Sequence, residues 1–193
     1  MTRGQLIVIS GPSGVGKDTV IKRLLEIDHN LIYSVSGTTR RPRTDENPDQ
    51  NYTFLTRERF LQLVDEGAFL EHATYNGNLY GTFKDRVEDA RRSGRDVVLK
   101  IDVQGAAQVR RLVPDGIFIF VVAPSEAELE KRQERRGSES AEDLEARRKI
   151  AEGEMTHLAD YDHVVTNDDV ERAAGEILDI VRRARERQTE VKH

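Results

Sequence analysis

The chemistry of this sequence begins at Gly11-Pro12-Ser13-Gly14-Val15-Gly16-Lys17-Asp18-Thr19, just after a short apolar run, Gln5 to Ser10. The spacing is G-x-x-x-x-G-K, and helical periodicity follows it. Glycines here let the backbone curl until its N–H groups converge, and the next helix adds partial positive charge at its N-terminus. That arrangement cradles phosphate. Gly11 through Gly16 form the cradle, and Lys17 reaches the β- and γ-phosphates of a nucleoside triphosphate. The position after the lysine usually holds Ser or Thr, whose hydroxyl binds Mg2+. Here it is Asp18, a hard oxygen donor that either takes the metal or repels the triphosphate. Thr19 comes one residue late, turned ~100° around the helix.

Composition narrows the partners. The 193 residues suit one domain, and Lys+Arg 30 against Asp+Glu 35 leaves a net charge of −5, which argues against non-specific nucleic-acid binding. The basic residues are 23 Arg and only 7 Lys, and Arg offers the rigid fork that grips phosphate. With no Cys, a disulfide scaffold, a thiolate metal site and a cysteine nucleophile are excluded. No apolar run approaches the ~18 residues of a membrane span, and the N-terminus lacks a signal-peptide pattern. The expectation is a cytoplasmic protein with small-molecule substrates, no nucleic acid and no membrane, monomeric or homodimeric.

The elements that must position these residues alternate. Strands are expected at Gln5–Ser10, Leu31–Ser36, Phe69–Tyr75, Asp96–Asp102, Ile117–Val122 and His163–Thr166, with strand and turn at Asn78–Tyr80. Helices are expected at Val15–Leu25, Thr56–Glu66 with a Thr cap, Phe83–Ser93 closed by Gly94, and Ala106–Val113. Further helices run from Ser125 to Arg136, from the Gly137–Ser140 break to about Ala159, and from Val170 to Arg187. Residues 40–51 read as a loop, and the tail from Arg185 to His193 as a fraying helix end. This alternation predicts an α/β fold, a parallel sheet with helices on both faces. Asp102 falls at the carboxyl end of an apolar strand, where such sheets bind ligands.

More motifs follow in order: Ser34-Val-Ser36-Gly-Thr-Thr-Arg40-Arg41-Pro-Arg43, Glu46, Tyr52, Phe69-Leu-Glu71, Gly77-Asn-Leu-Tyr80-Gly-Thr82, Ile101-Asp102-Val-Gln-Gly105 and Val165-Thr-Asn167-Asp168. Together with the phosphate loop they resemble the guanylate kinase family, from Gln5 to about Ile180. The resemblance implies a P-loop NTPase-type sheet, a GMP-binding insertion and a helical lid. It also implies Mg2+-dependent phosphoryl transfer from ATP, the co-substrate, to GMP in purine nucleotide metabolism. The matching positions suggest Arg43, Tyr52 and Tyr80 on the GMP phosphate, with Arg40 nearer the transferring group. Glu71 would read guanine, with Ser36 and Thr82 also on the base; Glu46 and Asp102 complete the GMP set. Arg132, Arg136 and Arg147 would fold over the phosphates, joining Lys17 and Arg40 in catalysis. Asn167 would lie near the ATP adenine, and Asp18 and Asp102 would serve Mg2+. The implied division is a core of residues 4–32, 94–125 and 151–184, a GMP-binding insertion of 33–93 and a lid of 126–150.

Two positions depart from the family pattern with opposite charge. Asp18 replaces Ser or Thr, and Lys100 replaces the acid of an acid–x–acid pair ending at Asp102. The expectation is that Asp18 and Lys100 compensate, as a direct pair. Asp18 also suits a related kinase of ribose 1,5-bisphosphate, whereas Ser36, Arg43, Glu46, Tyr52, Glu71 and Tyr80 favour GMP. A guanylate-kinase-like phosphopeptide-binding module and a regulatory nucleotide-binding protein without turnover are the remaining readings.

Overall fold

A computed structural model describes residues 2–42, 52–134 and 141–190, with backbone alone at 134 and 141–147. In chain order its elements are β1 (Leu6–Ser10), α1 (Lys17–Ile27), β2 (Leu31–Tyr33), β3 (Gly37–Thr38), β4 (Thr53–Phe54), α2 (Arg57–Asp65), β5 (Phe69–Tyr75), β6 (Asn78–Phe83), α3 (Lys84–Arg92), β7 (Asp96–Lys100), α4 (Val103–Leu112), β8 (Ile117–Val122), α5 (Glu126–Glu134), α6 (Ala141–Met155), β9 (His163–Thr166) and α7 (Val170–Glu190).

Five of the strands form one parallel sheet in the order β2-β7-β1-β8-β9. Their apolar side chains alternate between two cores, as the two-residue period of a strand requires. Leu6, Val8, Val97, Leu99 and Phe118 pack with Val87 of α3 and Ala106 and Val109 of α4. Ile7, Ile9, Val98, Ile119 and Val121 pack with Val20, Ile21 and Leu24 of α1 and with Ala174, Ile177 and Val181 of α7. Each buried Leu or Ile contributes roughly 1.5–3 kcal/mol. The helices therefore cover both faces and leave the carboxyl edge of the sheet for the loops that do chemistry.

A second, four-stranded sheet has the order β4-β3-β6-β5 and mixes parallel and antiparallel pairs. The apolar alternation foreshadowed β5 and the start of β6; the two-residue strands β3 and β4 were not expected, because so short a pairing leaves no periodicity to read. Its hairpin is local in origin. Asn76 (φ 45) and Gly77 (φ 74) take left-handed conformations between β5 and β6, the two-residue turn that matches strand twist. Phe60 stacks on Phe69 with ring centroids 4.6 Å apart, inside a third core with Leu63, Leu79 and Phe83. Thr56 caps α2 as expected, its Oγ1 accepting from Arg59 N at 3.2 Å.

Several boundaries differ from expectation. The run Leu31–Ser36 is divided: β2 ends at Tyr33 and β3 starts at Gly37, so the chain passes from one sheet to the other through Ser36. Helix α4 starts at Val103 because Asp102 is its cap, Oδ1 accepting from Gly105 N at 2.8 Å. Helix α6 ends at Met155, and a 3-10 turn covers Leu158–Asp160. The tail expectation is corrected: α7 holds to Glu190, since Arg185 Nε donates to the buried Asp96 Oδ2 at 2.7 Å and its guanidinium also pairs with Asp28 at 2.8 Å.

Candidate active site

The phosphate loop joins β1, the central strand, to α1. Gly11 (φ 138) passes so close to β8 that a Cβ would stand 2.1 Å from Val121 O, and at Gly16 (φ 90) it would stand 2.4 Å from Asn167 Nδ2. Only glycine satisfies both the angles and the approach. The loop carbonyls are held from the protein side. Asn167 Nδ2 donates to Val15 O at 2.7 Å, and Gln133 Nε2 donates to Ser13 O at 2.8 Å. Lys17 Nζ donates to Gly11 O, and to Pro12 O at 3.0 Å. Within the loop, Val15 N donates to Pro12 O at 3.3 Å, closing the curl. Pro12, Ser13, Gly14 and Val15 complete that curl, and Thr19 is exposed on α1.

Arg132 of α5 braces the same loop. Its Nε donates to Glu128 at 3.1 Å and its Nη1 to Asn167 O at 3.0 Å. Asn167, expected near the adenine, is buried, with its amide bonded to the loop. Arg43, Glu46 and Arg136, and the side chain of Arg147, lie outside the described residues.

The second sheet contributes a buried polar pocket. Glu71 and Thr82 are register partners across β5 and β6, and a bulge between Phe69 and Glu71 turns Leu70 into the main core. Thr82 Oγ1 donates to Glu71 Oε1 at 2.6 Å, and both residues are buried. Burial is the main force on the Glu71 carboxyl, pushing it up to about 7 against the opposing bond from Thr82. Ser36 is also buried. Gly105 of α4 packs so tightly that a Cβ would meet Glu71 Oε2 at 2.4 Å.

Aromatic rings and cations lie beside this pocket. Tyr52 meets Tyr80 edge-on at 5.9 Å, and Tyr80 meets Tyr75 at 6.4 Å. The Arg40 guanidinium sits 5.3 Å from the Tyr52 ring centroid. Lys100 Nζ is also 5.3 Å from that centroid and forms an ion pair with Asp18. The expected Asp18–Lys100 contact therefore exists, between the first turn of α1 and the end of β7, 82 residues apart. Lys100 is largely buried, which works against its charge, but Tyr33, Tyr52 and Asp18 outweigh that and raise its pKa. Burial pushes the Tyr33 phenol the other way, up to about 12.

Two buried carboxylate oxygens, Asp102 Oδ2 and Glu154 Oε2, have no hydrogen-bond partner. Desolvation raises the pKa of both carboxyls, Glu154 to about 7, and the charge of Lys17 opposes it at each. Glu154 was not among the expected residues. The C-terminal part of α6 turns Ala151 and Glu154 inward, but in a charged run its acids look alike until packing selects one. Its signal was spacing: Glu154 follows Arg147 by seven residues, two helical turns. Among the described residues there is no group of three side chains able to hold a metal. The unpartnered oxygens of Asp102 and Glu154 are hard donors of the kind Mg2+ takes, an ion that needs few protein ligands and completes its shell with water and phosphate.

The chain matches the family model described as guanylate kinase over residues 3–184. The chain belongs to the guanylate kinase family. The guanylate kinase of Rubrobacter xylanophilus is 49% identical over 183 residues, covering 95% of this chain and 96% of that one. The guanylate kinase of Caldanaerobacter subterraneus is 46% identical over 179 residues, 93% of this chain and 87% of the relative. A crystal structure of guanylate kinase from Anaplasma phagocytophilum superposes with a TM-score of 0.79 at 36% identity, covering 94% of this chain and 86% of that one. This chain thus carries a guanylate kinase fold in which Asp18 and Lys100 stand in contact.

Proposed function

We propose that ATP occupies the phosphate loop, GMP the pocket of the second sheet, and that transfer takes place between them. As a nucleoside monophosphate kinase of the guanylate kinase family, the chain moves the γ-phosphoryl group of ATP to GMP. The observation that carries the residue assignment is the buried Glu71–Thr82 pair. Guanine offers the N1–H and N2–H donors side by side, and a carboxylate accepts both. Adenine offers an acceptor at N1, leaving Glu71 unmatched in a buried site; such mismatches reach ~10⁴-fold. Ser36 adds a hydroxyl to the same base pocket.

Arg40, Arg43, Tyr52 and Tyr80 hold the acceptor's 5′-phosphate, and Glu46 supports them. One oxygen of that phosphate attacks the γ-phosphorus in line, and the bond to the β,γ-bridging oxygen breaks. ADP leaves with that electron pair, and GDP is the other product. The nucleophile is already anionic, so no general base is assigned. Lys17, Arg132, Arg136 and Arg147 offset the charge that gathers on the transferring group, and positioning supplies most of the acceleration. Asp18 and Asp102 would hold Mg2+ directly or through water, with Glu154 beside them; when bound, the ion neutralises the β- and γ-phosphates.

The reading divides the chain into a core of residues 4–32, 94–125 and 151–184, a GMP-binding insertion of 33–93 and a lid of 126–150. Closure of insertion and lid on both substrates excludes water before transfer. We place this reaction in cytoplasmic purine nucleotide metabolism, GMP recycling included, by a monomer or homodimer. Among the described residues no helix is long and apolar enough to cross a membrane.

The test is ADP release from ATP and Mg2+ with GMP, AMP or ribose 1,5-bisphosphate as acceptor. Turnover with GMP alone is expected. Turnover with the sugar phosphate alone would overturn the pocket assignment and make Asp18 the informative residue.

A further inference from the structure

Lys100 takes no part in the mechanism above, yet its ammonium lies where the two substrate sites meet. It projects from the carboxyl end of β7, pairs with Asp18 at the start of α1, and stands over the Tyr52 ring. Arg40 stands over the same ring at the same 5.3 Å, so the two cationic centres are no more than twice that distance apart. Two converging cations repel each other, and an anion set between them relieves that cost. The Lys100 side chain is 16% exposed against 66% for Asp18, so the lysine is the fixed member and the aspartate the one at the solvent edge. A cation held this way loses little freedom when it takes a new partner.

We propose that Lys100 is a second cation for the acceptor's 5′-phosphate, built into the core sheet opposite Arg40 and docked on Asp18 until that phosphate arrives. The inference rests on the assignment of Tyr52 and Arg40 to that phosphate. It gives the charge reversal at residue 100 a function: the positive charge that Asp18 holds at the loop is handed to the substrate. Asp18 is then a gate on GMP affinity as well as a metal ligand. The anion is the acceptor phosphate and not the donor's, because the ring the ammonium stands over, Tyr52, is the one it shares with Arg40 and is assigned to the acceptor.

The experiment is calorimetric titration of the full chain with GMP and with guanosine, without ATP and with chelator present. The proteins are wild type, Lys100→Met, Lys100→Arg, Asp18→Asn and the double variant Asp18→Asn/Lys100→Met. In Lys100→Met, GMP binding should weaken about tenfold with guanosine binding unchanged, and Lys100→Arg should restore most of the loss. Asp18→Asn should tighten GMP several-fold when Lys100 is present and not when it is Met. An unchanged GMP-to-guanosine ratio in Lys100→Met would overturn the proposal, leaving Lys100 as a structural partner of Asp18. Equal tightening by Asp18→Asn in both backgrounds would also overturn it, since Asp18 would then act only by repelling phosphate. A parallel titration with ADP that weakens in Lys100→Met while GMP does not would assign the cation to the donor and refute it as well. If Lys100→Met does not fold, Asp18→Asn alone decides: no tightening refutes the proposal. If wild type binds guanosine as tightly as GMP, the phosphate site itself is wrong, a failure separate from that of Lys100.

Discussion

Burying Glu71 costs the folded chain stability, a cost that would serve the proposed guanine contact. The folded pKa of Glu71, about 7, lies above the ordinary value of 4.5. The folded state therefore keeps this proton to higher pH than the unfolded chain does. The contribution of Glu71 to stability is greatest below pH 4.5, falls as pH rises to about 7, and is level above. Glu71→Gln removes that loss. It should raise stability at pH 8 by about 2–3 kcal/mol relative to wild type and by much less at pH 4.5, read by urea denaturation. The same change should weaken guanosine by at least ~100-fold, because one acceptor becomes a donor facing a donor. In wild type, guanosine should bind about tenfold more weakly at pH 6 than at pH 8; guanosine is the probe because GMP's own phosphate titrates in that range. Lys17 makes a contrast. Lys17→Met should cut turnover ~10²–10³-fold while leaving the GMP dissociation constant within a factor of two in calorimetry, since its charge serves the donor side.

At the scale of elements, the pocket depends on how α4 meets the β5–β6 hairpin. Gly105 lies in the first turn of α4, where Ala would ordinarily favour the helix by about 1 kcal/mol. Here the added Cβ would displace the Glu71 carboxylate from 2.4 Å. Gly105→Ala should therefore weaken guanosine at least tenfold while the β-sheet circular dichroism stays native. Near its end the C-terminal helix is tied by charge through one side chain. Arg185 bridges Asp96 and Asp28, and Asp96 is only 3% exposed. Arg185→Ala leaves a buried carboxylate without its cation and should cost about 3 kcal/mol in urea denaturation, with turnover per folded molecule preserved. An unchanged midpoint would return α7 beyond Ala184 to the fraying end that its polar sequence suggests.

At the scale of the whole molecule, the described residues proposed to bind gather at one edge of the main sheet. The carboxyl ends of β1, β7, β8 and β9 hold the phosphate loop, Lys100 and Asp102, and the bracing Asn167. The second sheet brings its acid and its aromatic rings to the same edge. With the substrates seated on different sheets as proposed, binding of both should draw the insertion and lid closed. Small-angle scattering should show a smaller radius of gyration with GMP and a non-hydrolysable ATP analogue together than with either alone. Equal curves in all three conditions would mean that the site is assembled before substrates bind, and the division into core, insertion and lid would lose its mechanical meaning.

Much of this was legible in the residues because it is local. The phosphate loop needs glycines at fixed offsets, strand alternation reports two-sided burial, and Asn76-Gly77 encodes its own turn. The motifs from Ser36 to Asn167 identified the family, and the opposite charges at residues 18 and 100 foretold their contact. Other features depend on distant parts of the chain. Which acid of the described part of α6 faces inward was settled by packing: Glu154 turns toward Lys17 and Asp102, whereas Glu152 is exposed. Arg185 reads as a solvated tail residue until Asp96, far away in sequence, is buried beneath it. The mixed sheet, the step of the chain through Ser36 and the bulge that aims Glu71 are products of pairing. The physical reason is the same in each case. Backbone angles and apolar periodicity are properties of a segment, whereas the burial of a charge is stable only where another segment supplies its partner, and that is known only once the chain has folded.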